Sequence, residues 1–106
     1  MKLSRFAMFA LAAALVVSTV RPAHAGDAAA LYKSKCQVCH GADGKGDTAA
    51  GKKMGVKDFH SPEVVKMTDA DLVKTTTDGK GKMPAYKGKI SDDDIKALVK
   101  YIHTLK

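Results

Sequence analysis

The sequence predicts an all-α domain of about four short helices and loops, and three observations predict it. Apolar residues recur at three- and four-residue spacing early in the chain (Ala28, Leu31, Tyr32) and at its end (Ile95, Leu98, Val99, Ile102, Leu105). Helix-capping residues stand at Ser61, Thr68 and Ser91. No stretch alternates apolar and polar residues in the way a half-buried strand would.

Each element follows from local chemistry. From Asp27 the run Ala-Ala-Ala-Leu-Tyr-Lys-Ser-Lys predicts a helix leading directly into Cys36. Residues 41–61 contain Gly41, Gly44, Gly46, Gly51 and Gly55 without a period, and predict a loop. Ser61-Pro62-Glu63 combines an N-cap with proline at the first helical position and opens a short helix to about Met67. Thr68 followed by Asp71 opens a second one that runs through Leu72 and Val73 toward Gly79. A loop rich in glycine and lysine follows, carrying Met83 and Pro84. Ser91 and the acids Asp92, Asp93 and Asp94 start the last helix, where negative charge suits the positive end of the helix dipole.

The chain has 106 residues, enough for one domain. Its start has the order of a secretory signal. Lys2 and Arg5 precede an apolar stretch from Phe6 to Val20, and Ala23-His24-Ala25 places small residues two apart before Gly26. The apolar stretch is short against the roughly 20 residues that span a bilayer, so a membrane anchor is the weaker reading. Residues 1–25 are therefore expected to be a signal peptide cleaved after Ala25, and 26–106 the domain, exported to the periplasm with no stable membrane insertion. The mature segment would hold 15 lysines, no arginine and 11 acids, a net charge of +4. A domain of that size buries little surface and needs a staple, a metal or a cofactor. With no tryptophan, and only Tyr32, Phe59, Tyr86 and Tyr101 as aromatics after residue 25, its own core is thin.

Both cysteines lie in Cys36-Gln37-Val38-Cys39-His40, the spacing of a haem c attachment site. Cys36 and Cys39 could add to the two vinyl groups of one haem, with His40 reaching the iron from the same side. A zinc site would need four ligands, and no second Cys/His pair follows. Thioredoxin-like chemistry would need a βαβ setting. A disulfide across two residues would constrain little of the unfolded chain. Opposite His40, Met83 is the expected second axial ligand, because Pro84 stiffens the backbone beside it. Met54 and Met67 read as filling around the cofactor, and His60 and His103 as surface residues; Met54 and His60 stand as the alternatives to Met83.

The segment 26–106 resembles the class I c-type cytochromes, especially the small bacterial monohaem proteins. The matching features are the helix running into Cys36-x-x-Cys39-His40, then Gly41-Ala-Asp-Gly44-Lys-Gly46, the Met83-Pro84 loop, and Leu98-Val99-Lys100-Tyr101-Ile102 in the last helix. The resemblance implies a small cytochrome c fold wrapped around one covalent haem c. It also implies that the first and last helices cross, with Tyr32 and Tyr101 meeting near Ala28 and Leu98. One feature departs from the pattern. Such proteins often have a proline after the haem histidine, marking the carbonyl that accepts the ring's other N–H, yet residues 41–61 contain none. The tryptophan that binds a propionate in some relatives is also missing, leaving Lys53, Lys57, His60 or Tyr86 to replace it.

With His40 and Met83 on the iron no position remains for a substrate, so the expectation is a one-electron carrier and not an enzyme. Lys80, Lys82, Lys87 and Lys89 surround the Met83 loop without an acid between Gly79 and Ile90. They would either steer the protein toward redox partners with an acidic docking face or only keep the loop solvated. Nucleic acid is a poor partner for an exported chain of this charge, and the carrier is expected to be a monomer. The alternatives are a dedicated haem subunit of a dehydrogenase or oxidase, and a haem enzyme or sensor whose Met83 is labile. Expression in a host that exports and matures c-type cytochromes should yield a chain whose N-terminus is Gly26. An intact mass that retains residues 1–25 would instead support the anchor.

Overall fold

The computed structural model describes residues 25–106; the expected signal peptide, apart from Ala25, lies outside them. Six helices form there: α1 (Ala25–Lys35), α2 (Gln37–His40), α3 (Ala49–Met54), α4 (Pro62–Val65), α5 (Asp69–Asp78) and α6 (Asp92–Ile102). Four are the expected elements. The other two, α2 and α3, are single turns on either side of the glycine loop.

The helix ends show why these segments fold as they do. Asp27 lies in the first turn of α1, and Lys33 and Lys35 in its last, each complementing the dipole. In α5 the Thr68 hydroxyl accepts the Asp71 N–H at 3.1 Å, and the Asp71 carboxylate accepts the Thr68 N–H at 3.3 Å, a complete capping box. In α6 the Ser91 hydroxyl accepts the Asp94 N–H at 3.1 Å. Ser61 behaves differently. It occupies the N-cap of α4 ahead of Pro62 but makes no side-chain cap, and its buried hydroxyl has no partner among the described residues.

Residues 41–61 were expected to be all loop, and α3 is the departure. Thr48 makes it possible: its hydroxyl accepts the Gly51 N–H at 2.8 Å as an N-cap, and it also donates to the carbonyls of Val38 (2.8 Å) and Cys39 (3.1 Å). One side chain therefore starts α3 and fastens it to α2. The approach is so close that a Cβ on Gly51 would collide with the carbonyl oxygens of Cys39 and Gly46. In this segment, the missing side chain of Gly51 lets α3 approach α2.

The core lies where α1 crosses α6. Ala28, Tyr32, Ile95, Leu98 and Val99 are buried, joined by Leu72 from α5 and Ile90 from the last loop. The Tyr32 and Tyr101 rings meet with centroids 5.3 Å apart at 55°, as the resemblance implied. The α6 stripe fades along its length: Ile102 and Leu105 are half-buried, and Leu105 lies beyond the helix. At the opposite edge, His103 Nε2 meets the Asp69 carboxylate at 2.7 Å and ties the end of α6 to the start of α5.

Gly51→Ala should destabilise the protein by about 3 kcal/mol or more, because the backbone oxygens it meets cannot move independently. Gly55→Ala is the contrast. Gly55 closes α3 at φ +66° with open space around it, so only backbone strain of about 1 kcal/mol applies. Denaturant midpoints of the two variants should fall in that order.

Candidate haem site

The motif Cys36–His40 begins at the end of α1 and forms α2. The Cys36 N–H donates to the Tyr32 carbonyl at 2.8 Å and the His40 N–H to the Cys36 carbonyl at 3.0 Å, so the helical path continues through both cysteines. Both are free thiols and half-buried. Cys36 packs against the core cluster of Tyr32, Ile90, Ile95 and Leu98. Burial, and then the neighbouring Cys39, pushes its thiol up to about 11. Burial alone holds the His40 imidazole below its ordinary range and so keeps it neutral, the form in which histidine binds a metal.

Behind the motif, the loop 41–46 is bound tightly. The Tyr32 hydroxyl, buried in the core, donates to the Gly41 carbonyl at 2.6 Å. The Gly46 N–H donates to the His40 carbonyl at 2.8 Å, and the Phe59 N–H to the Gly44 carbonyl at 2.9 Å. The His40 and Phe59 rings stack, with centroids 4.6 Å apart and 23° between planes. His40 Nδ1 is buried and has no hydrogen-bond partner among the described residues. The missing proline thus has a structural counterpart: no acceptor has replaced it.

Met83 is half-buried on a strap held at both ends. On one side Lys80 and Met83 exchange backbone hydrogen bonds at 3.0 and 3.2 Å, a tight hairpin after α5. On the other, the N–H groups of Tyr86 and Lys87 donate to the Thr76 and Thr77 carbonyls in the last turn of α5 at 3.2 and 3.0 Å. The Tyr86 hydroxyl then donates to the Lys35 carbonyl at 3.2 Å, across 51 residues of sequence, one residue before Cys36. Burial pushes the Tyr86 phenol up, with Cys36 and Cys39 adding to it, so this end of the strap lies beside the thiols. The sequence singles out Cys36, Cys39, His40 and Met83, but not Phe59 behind His40 or the backbone tie from Tyr86. Neither carries a motif. The only signal was that both are among the chain's few aromatics.

The alternatives to Met83 lie apart in character. Met54 ends α3 with 44% of its surface exposed, and His60 is exposed with its Nε2 at 3.1 Å from the Asp43 carbonyl. Three of the four groups considered for a propionate have protein partners: Lys57 pairs with Glu63, His60 with Asp43, and Tyr86 with Lys35. The Lys57 ammonium, with Lys80 as a smaller contributor, holds the Glu63 carboxyl below its usual range. Two surface hollows, of about 510 Å³ between α5 and α6 and about 190 Å³ beside Phe59 and Val64, include none of the four predicted site residues.

Two thiols three positions apart on one helical turn with a neutral half-buried imidazole beside them fit the attachment of haem c and one ligand of its iron, and the half-buried Met83 thioether on its restrained strap is of the kind that could supply another. A helical domain with this site belongs to the class of small c-type cytochromes. Residues 23–102 match the family described as cytochrome c oxidase, cbb3-type, subunit III, and the chain belongs to that family of c-type cytochrome domains, whose cofactor is covalently bound haem c. It is 35% identical over 77 residues to the cbb3-type cytochrome c oxidase subunit CcoP of Azospirillum brasilense, covering 71% of this chain but only 26% of that subunit. The chain thus spans about a quarter of the oxidase subunits it matches. It is 35% identical over 89 residues to cytochrome c6 of Gloeothece citriformis, covering 80% of this chain and 77% of the relative. Among solved structures, the KustC0563 c-type cytochrome superposes with a TM-score of 0.66 at 29% identity, over 74% of this chain and 98% of the other.

Proposed function

We propose that this protein is an exported monohaem carrier of single electrons. In this reading Cys36 and Cys39 hold one haem by thioether bonds, and His40 and Met83 are the axial ligands of its iron. Haem iron supplies a centre that takes up and releases one electron. The chain does the rest. The His40 imidazole is already neutral, and the Met83 strap is braced against α5 and against the residue before Cys36, so little has to move when the charge changes. A thioether ligand favours the reduced form relative to a second histidine. With both axial positions filled, the iron would keep no open position for a substrate. The observation that carries the reading is the Tyr86–Lys35 hydrogen bond, which returns the Met83 strap to the attachment helix.

The partner is a redox protein with an acidic docking face. Lys80, Lys82, Lys87 and Lys89 are all exposed on the loop that carries Met83. Lys80 also lies close enough to Glu63 to add slightly to the lowering of its carboxyl, which is mainly the work of Lys57. No helix among the described residues is long and apolar enough to cross a membrane. The proposed carrier diffuses as a monomer after export. The match to oxidase subunits favours a second reading, in which the domain serves one oxidase as a dedicated haem subunit.

Met83→Ala should keep its haem attached but lose the long-wavelength absorption band of methionine-bound ferric haem, and its reduction potential should fall. An unchanged spectrum would mean that another side chain is the ligand. The second prediction concerns docking. Electron-transfer rates with an acidic redox partner should fall steeply as ionic strength rises past about 0.1 M, where the screening length approaches 10 Å. A flat response, together with co-purification with an oxidase, would favour the dedicated subunit.

A further inference from the structure

The orientation of His40 poses a physical problem. A metal-bound imidazole ordinarily gives its second N–H to a carbonyl or carboxylate, which fixes the plane of the ring and makes it a stronger donor. His40 Nδ1 is buried without such a partner among the described residues. Four of the carbonyls that follow already hold other donors: His40 O takes the Gly46 N–H, Gly41 O the Tyr32 hydroxyl, Asp43 O the His60 ring, and Gly44 O the Phe59 N–H.

The Phe59 ring lies against the imidazole, 4.6 Å away and 23° from parallel. It is itself held firmly. Its N–H is bonded to Gly44 at 2.9 Å, and the next residue is fixed from both ends, the His60 N–H on the Asp58 carboxylate at 2.8 Å and the His60 ring on the Asp43 carbonyl at 3.1 Å. A Cβ on Gly44 would lie 2.5 Å from the Phe59 ring, so the loop has no side chain there in order to admit it.

We infer that Phe59 is the positioning residue of His40, setting the plane of the imidazole by stacking in place of a hydrogen bond and keeping water from Nδ1. This rests on the reading of His40 as an axial ligand. An imidazole held in this way stays a weaker donor than one with an acceptor, which favours the reduced form of the centre it binds. Removing the stack frees the ring to turn and lets water accept from Nδ1, making the imidazole a stronger donor.

The test compares holoproteins carrying Phe59→Leu, Phe59→Met and Phe59→Tyr with the wild type. Three readouts are needed: the hyperfine-shifted proton resonances of the His40 ring in the ferric protein, the reduction potential, and the thermal midpoint. The Leu and Met variants should show shifted His40 resonances and a lower potential, and Tyr, which keeps the stacking face, should restore both. If Leu or Met lowers only the thermal midpoint, Phe59 is packing and the inference is wrong. A Leu variant that does not mature leaves the decision to Met and Tyr: loss in Met with restoration in Tyr supports stacking, and wild-type values in Met overturn it. Should the wild-type His40 ring protons show no hyperfine shift, His40 is not on the iron and the site assignment itself fails.

Discussion

The crossing of α1 over α6 is the contact on which the rest of the structure depends. It brings Tyr32 against Leu98 and Tyr101, and it contains most of the buried side chains among the described residues. Tyr32 then does two things at once: its ring fills the crossing, and its hydroxyl extends to the carbonyl directly after His40. A buried hydroxyl must find an acceptor, and here the requirement ties the core of the fold to the end of the attachment motif. The position of His40 is thus set from inside the protein.

From that anchor the site is built by short-range fastening more than by extensive packing. Thr48 clamps α3 onto α2 through the carbonyls of Val38 and Cys39, and the bare Gly51 lets it come that close. Phe59 packs behind His40, and the Met83 strap is held by α5 at one end and by Lys35 at the other. A domain with so few buried side chains gains much of its rigidity from such contacts. Covalent haem in a protein of this class adds the apolar surface that seven buried hydrophobic residues do not provide.

The chain is similar both to cytochrome c6 and to a segment of oxidase subunits. Cytochrome c6 matches over most of its own length, whereas the CcoP subunit contains the equivalent of this chain as about a quarter of its own. The same helical unit therefore occurs alone and as a segment of a longer chain.

By itself the sequence determined the parts of this protein that depend on nearest neighbours. The caps at Thr68 and Ser91, the stripe of α6, the spacing of Cys36, Cys39 and His40, and the Met83-Pro84 pair are all local, and each was legible without a structure. The crossing of α1 and α6 was reached through family resemblance. What only the tertiary structure decided concerns groups far apart in the chain or without a motif. Thr48 reads as an ordinary loop residue until α2 lies beside it, and a run of glycines gives no hint that one of them receives a helix. Ser61 has the sequence of a cap, yet its hydroxyl makes no cap bond. Phe59 against His40 and Tyr86 against Lys35 are contacts whose partners are chosen by the path of the whole chain. Local hydrogen bonding and helical periodicity are written in a few adjacent residues, whereas stacking and long-range closure exist only once the backbone has brought their partners together.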